Sequence, residues 1–169
     1  MTDIASKFLV VYSGDRDRIL FPNTNSFVFD SNDIDFSEFK NSYKIKIKEV
    51  ILPVSALNYP YITLDIKEID QKVSGSSQLL NKSFGVLTQK TLGSTQPFIS
   101  YQAYNSDVKL TKDLSRLSIQ FLAPDGSLMN FGSDTSPGTA VTGSVQTTII
   151  FEVIVAISVN AGTNSLMHK

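Results

Sequence analysis

Between positions 43 and 66 the chain reads YKIKIKEVILPVSALNYPYITLDI, and the spacing of its apolar residues changes part-way. Tyr43, Ile45 and Ile47 alternate with Lys44, Lys46 and Lys48, the two-residue period of a strand with one buried and one solvated face. Val50, Ile51 and Leu52 are then consecutive, and Pro53 removes a donor from the ladder. This predicts a bulge or sharp bend near Glu49 and an end to pairing at about Pro53. Beyond a turn at Asn58 and Pro60, Ile62, Leu64 and Ile66 alternate with Thr63, Asp65 and Lys67. Two strands joined by a proline-containing corner follow from this pattern.

The same period recurs over 146–160, where Ile149, Phe151, Val153, Val155, Ile157 and Val159 share one face and predict a core strand. The opposite face carries Ile150, Ile154 and Ala156 between Glu152 and Ser158. It is too apolar for open water, which implies a second buried surface, within the domain or between subunits. Shorter strands are expected over 26–30, with Phe27 and Phe29 on one side, and over 84–87, 98–103, 108–110 and 117–121. Pro124-Asp125-Gly126-Ser127 predicts a tight turn, with 128–131 returning as a hairpin partner. Residues 31–41 are polar, with Ile34, Phe36 and Phe39 loosely spaced, and suit one helical turn. The loops are 71–82, 89–97 and 132–143; the last is unusually long and expected to be exposed, mobile or engaged with a partner.

Eight or nine short strands without an amphipathic helix or internal repeat predict an all-β fold, an antiparallel β-sandwich over 27–160. Periodicity alone leaves jelly-roll and immunoglobulin-like topologies open. Residues 1–26 read as an extended N-terminal arm and 161–169 as a polar tail. Within the arm, Phe8 to Val11 suit a short strand, and Tyr12-Ser13-Gly14-Asp15-Arg16-Asp17-Arg18 is a run of turn formers and alternating charges. Asp15, Arg16, Asp17 and Arg18 then form either a solvated cluster, worth under ~1 kcal/mol per exposed pair, or a docking surface for a neighbouring subunit.

Charge and chemistry narrow the functional classes. With 15 basic and 16 acidic residues the net charge is -1, which argues against bulk binding of nucleic acid. There is no cysteine, hence no disulfide or thiolate metal site. The one histidine, His168, is next to last in the polar tail, so Ser-His-Asp catalysis and multi-histidine metal centres lack their residues. No glycine-rich phosphate loop precedes a helix. No cofactor and no metal are expected. No apolar run approaches the ~20 residues that span a bilayer, and the N-terminus lacks a signal-peptide pattern, so a soluble, unprocessed protein is expected. Asp30, Asp33 and Asp35 are the carboxylates a hydrolase or a calcium site would draw on, and their polar surroundings read as solvent-facing. Lys44, Lys46 and Lys48 either face phosphate or an acidic neighbour, or form a solvated strand face that discourages edge aggregation. Tyr59, Tyr61, Tyr101 and Tyr104, with the loop 132–143, would supply the contact surface of a carbohydrate- or receptor-binding head.

Three segments together resemble a known family. YSGDRDR followed by FPNTNSFVF, the pair IKIKEVILPVSALNYPYITLDI, and DLSRLSIQFLAPDGSLMNFG are similar to the small single jelly-roll capsid proteins of large DNA viruses of the double jelly-roll lineage and of virophages. Tyr12 and Gly14 stand in two places of the family's more usual Asp-Ser-Arg-Asp-Arg. The resemblance spans roughly residues 12–132 and implies a single jelly roll. It also implies a non-enzymatic penton (vertex) subunit that assembles as a pentamer, or a minor (cement) protein of the shell. The implied partners are copies of itself, the major capsid protein and other minor capsid proteins; the implied location is the virion shell after a soluble phase in the host cell. Tyr12, Asp15, Arg16, Arg18, Ile150 and Ile154 are the expected subunit-interface residues.

Overall fold

The computed structural model describes residues 2–69, 73–90, 97–104, 108–132, 134 and 139–158. The strands are β1 (Thr2–Tyr12), β2 (Ser26–Phe29), β3 (Ser42–Pro53), β4 (Ile62–Ile66), β5 (Gly85–Gln89), β6 (Phe98–Tyr104), β7 (Val108–Lys109), β8 (Leu117–Leu122) and β9 (Thr148–Ser158). Among the described residues every pairing between them is antiparallel, and the helical elements are short 3-10 turns. β1 pairs with β9, β2 with β8, β3 with β6, and β4 with β5. That is one long hairpin rolled on itself. Rolling adds the contacts β3 to β9, β4 to β8 and β5 to β6, and yields the order β1-β9-β3-β6-β5-β4-β8-β2. Two four-stranded layers result, joined along β5 and β6, in the jelly-roll order.

Side chains alternating inward from both layers fill the space between them, including Phe27, Phe121, Phe151, Tyr101, Leu52, Ile62 and Leu64. Phe27 meets Phe29, and Phe121 meets Phe131, edge to face at 5.6 Å between ring centroids. The phase change in β3 is a bulge: Ile47 faces Phe151 and Glu49 faces Ile150, so the ladder skips Lys48. Pairing of β3 ends with Pro53 opposite Phe98, as its missing N–H requires. Between β2 and β3, Phe36 and Phe39 lie one 3-10 turn apart and are both buried, with the Asp35 carboxylate accepting the Ser37 N–H at the turn's start.

Three expectations need correction. Residues 1–26 are not an extended arm: β1 is a full strand registered against β9 over eleven residues, with Leu9 and Val11 in the core. The 128–131 return is shorter than a strand: Leu128 bridges Leu122 antiparallel, with the Met129 N–H donating to the Phe121 carbonyl at 2.9 Å and the Ala123 N–H to the Ser127 carbonyl at 2.8 Å. The turn itself is present, with Gly126 at φ +88° and the Asp125 carboxylate accepting from the N–H and hydroxyl of Ser127. Finally, Ile157, the next-to-last residue of β9, is 45% exposed rather than in the core. The polar tail, with His168, and Val159 lie outside the described residues.

Phe151→Ala should therefore cost about 3–5 kcal/mol, as for a fully buried aromatic, whereas Ile157→Ala should stay within about 1 kcal/mol. Urea denaturation of the two variants checks this ranking.

Candidate interaction surface

The charged run after β1 turns inward. The side chain of Arg16 has no exposed surface, and all three of its guanidinium nitrogens donate within the chain. Nε bonds the Phe21 carbonyl (2.7 Å); Nη1 bonds the Ser13 carbonyl (2.7 Å) and Gln146 Oε1 (3.1 Å). Nη2 bonds the Pro22 carbonyl (2.8 Å) and approaches Asp134 Oδ2 at 3.3 Å. Arg18 reaches the other carboxylate oxygen of Asp134 at 3.1 Å and also donates to the Thr139 carbonyl. Gln146 donates to Asp134 Oδ2 (2.8 Å), the Thr142 N–H donates to Oδ1 (3.2 Å), and Ser13 Oγ donates to Gln146 Oε1 (2.8 Å). A buried carboxylate is thus held between two guanidiniums, an amide and a backbone N–H.

The electrostatics follow from this geometry. Burial pulls the Arg16 pKa below that of a free guanidinium, and the bond and charge of Asp134 oppose that pull. Burial acts to raise the Asp134 pKa, but the bonds from Gln146, Thr142 and Arg18, with the charge of Arg16, outweigh it and hold the carboxyl below its ordinary value. Arg16 and Arg18, expected at a subunit interface, are here turned to their own chain: Arg16 donates within it from all three guanidinium nitrogens and Arg18 from both terminal ones. The loop after Gly132 is likewise pinned at Asp134, Thr139 and Thr142 rather than wholly free. Tyr12 and Gly14 fit each other, because the Tyr12 ring occupies the space a Cβ on residue 14 would need. Asp15 is exposed on the 3-10 turn.

The remaining two interface candidates come together on the outer face of the layer β1-β9-β3-β6. Ile150 lies opposite Val10, and Ile154 opposite Ser6, in the β1–β9 register, and both isoleucines are half-buried. On β1, Ile4, Phe8 and Val10 are 64%, 61% and 58% exposed on that same face. Periodicity in β9 pointed to this face; the contribution of β1 was hidden because its partner lies far away in sequence. Polar groups interrupt the face: Lys44 and Lys46 of β3 stand opposite Ile154 and Glu152, and a polar knot forms at Glu152. The Ser6 hydroxyl donates to Glu152 Oε1 at 2.7 Å, and the bulged Lys48 lies 3.2 Å from Oε2. These bonds lower the Glu152 pKa, that from Ser6 most. At the end of the face Tyr12, Ile51, Phe98 and Thr148 line an apolar cleft with Gly143 and Gln146.

The other candidates fare differently. Tyr101 is buried on the inner side of β6, and burial raises its pKa, so it is removed from any surface platform. Asp33 accepts the Asp30 N–H, and Asp35 has its pKa lowered by its bonds to Ser37, the reverse of what a catalytic acid needs. Among the described residues no group of three or more His, Asp or Glu is placed to hold a metal, and no helix is long and apolar enough to cross a membrane. Compared with known proteins, the sequence matches no family model and no curated protein.

Arg16→Met, which takes one of two guanidiniums from the buried Asp134 and a donor from three backbone carbonyls, should cost about 3–5 kcal/mol, and Arg18→Ala about 1 kcal/mol. Because the Asp134 pKa is depressed in the fold, its contribution is fully present above the unfolded value of about 3.9 and lost as pH falls through the folded value. Asp134→Asn should therefore be less stable at pH 7 and lose less stability between pH 5 and 2, read by thermal melts across that range.

Proposed function

We propose that this chain is a viral structural protein, a jelly-roll capsid subunit of the penton type that assembles as a pentamer and meets the major capsid protein. The observation that carries the reading is the uncovered apolar outer face formed by Ile4, Phe8, Val10, Ile150 and Ile154 on a sheet whose inner face already has a complete core. A monomer in water gains nothing from such a patch, whereas a shell subunit buries it against neighbours. The jelly-roll strand order and the three segments similar to the small capsid proteins support the same reading. A rigid unit, with its N-terminal segment clamped by Arg16 and Asp134, suits a part that must present the same surface to each neighbour.

Light scattering behind a sizing column should give a mass that is a multiple of five 18.6-kDa chains. The double variant Ile150→Asp, Ile154→Asp should reduce that mass while leaving the circular dichroism of the strands unchanged. A wild-type protein that is monomeric at high concentration and does not bind the major capsid protein would count decisively against this function.

A further inference from the structure

Among the described residues β1 has one strand neighbour, β9. The other side of this eleven-residue strand is a row of backbone N–H and C=O groups without a ladder partner. Natural edge strands are blunted by shortness, proline, a bulge, charged side chains or a covering loop. β1 is long, contains no proline, and its register with β9 runs from Thr2–Ser158 to Tyr12–Thr148 without a shift; its only charged positions are Asp3 and Lys7. The opposite edge of the sheet, β2, is four residues long. Beside the open edge of β1 stand the exposed side chains of Ile4, Phe8 and Val10. An edge of this length, unshifted and flanked by exposed apolar side chains, is a pairing surface.

We propose that β1 pairs antiparallel with β1 of a second copy across a two-fold axis, joining two sheets edge to edge. This contact goes beyond the capsid reading and does not depend on it. A strand facing itself across a two-fold supplies both halves of the interface, so one surface is sufficient. Charge selects the register. The charged positions of β1 are Asp3 and Lys7. A pairing centred on residue 7 sets two ammonium groups against each other, and one centred on residue 6 sets Asp3 against Leu9. Centred on Ala5, the pairing places Asp3 opposite Lys7 of the partner subunit, and the axis repeats the pair. The same register sets Ile4 opposite Ser6 and Thr2 opposite Phe8, so the outer face continues from one copy to the next. Lys7 already donates to the Glu38 carbonyl at 2.9 Å and pairs with the Glu38 carboxylate at 3.4 Å, but the pair is exposed, at 38% and 66%, so it is weak enough for the Lys7 ammonium to be shared with a second carboxylate.

The test is the native mass of the full chain and of three charge variants, each checked for an unchanged strand signal by circular dichroism. Wild type should contain two or ten chains. Asp3→Lys and Lys7→Glu should each weaken the self-association at least about tenfold and halve the mass, and the double variant D3K/K7E, which restores opposite charges at the same positions, should recover it. Ten chains support both this contact and the pentamer; two support this contact and remove the pentamer. Five chains overturn the β1 pairing and leave the capsid reading standing, and one chain overturns both. Single variants with wild-type mass, or a double variant that stays at half mass, also overturn the proposed pairing.

Discussion

A buried guanidinium requires an acceptor for each donor it brings, and Arg16 finds them on both sides of the junction between the first and last strands. It binds the carbonyls of Ser13, Phe21 and Pro22 from its own segment, and Gln146 and Asp134 from the segment leading into β9. Both ends of the rolled hairpin are thereby tied at one point. The Ser13 N–H, bonded to the Thr147 carbonyl at 2.9 Å, and the Thr147 N–H, bonded to Ser13 Oγ at 2.8 Å, continue the β1–β9 ladder past Tyr12 into this knot. The longest ladder among the described residues therefore starts from a fixed register. A slip of one residue would turn Leu9 and Val11 out of the core and bring Phe8 and Val10 in.

The consequence for the surface follows from that register. With Leu9, Val11, Phe151 and Val153 committed to the core, the alternate positions of β1 and β9 must lie on the outside, and here they are mostly apolar. The polar knot of Ser6, Glu152 and Lys48 is placed by the β3 bulge, which puts the extra residue of the ladder within reach of Glu152. The outer face is thus as much a product of the fold as the core is. It combines apolar area with the oriented Glu152–Lys48 pair and the neighbouring Lys44 and Lys46, the mixture found in specific interfaces rather than in a merely greasy patch.

Much of the fold was legible because strands announce themselves by period two. The β3 bulge, the stop at Pro53, the alternation of β4 and β8 and the inner face of β9 all follow from neighbouring residues. What was not legible depends on residues distant in sequence. Phe8 to Val11 are four consecutive apolar residues, so no periodicity separates Leu9 and Val11, which go in, from Phe8 and Val10, which stay out. Arg16 and Arg18 are alike in sequence, yet only the fold reveals Asp134 between them, within a run of Gly, Ser and Thr that carries no periodic signal. Ile150 and Ile154 were legible as a face without a cover, but the strand that extends it was not.

The pairing of first strand with last also sets the order in which the molecule can form. Tyr12 and Thr148, the nearest pair in that ladder, are separated by almost the whole chain. Contacts between such distant residues carry the greatest loop-closure entropy and form late. At a ribosome's pace of 5–20 residues per second, β1 waits on the order of ten seconds for its partner strand to be made. During that interval β9, its strand neighbour among the described residues, does not yet exist to pair with it or cover its apolar residues. A nascent chain so arranged is exposed to aggregation through the segment that later closes the roll, which makes the efficiency of synthesis, and not only final stability, depend on residues 2–12.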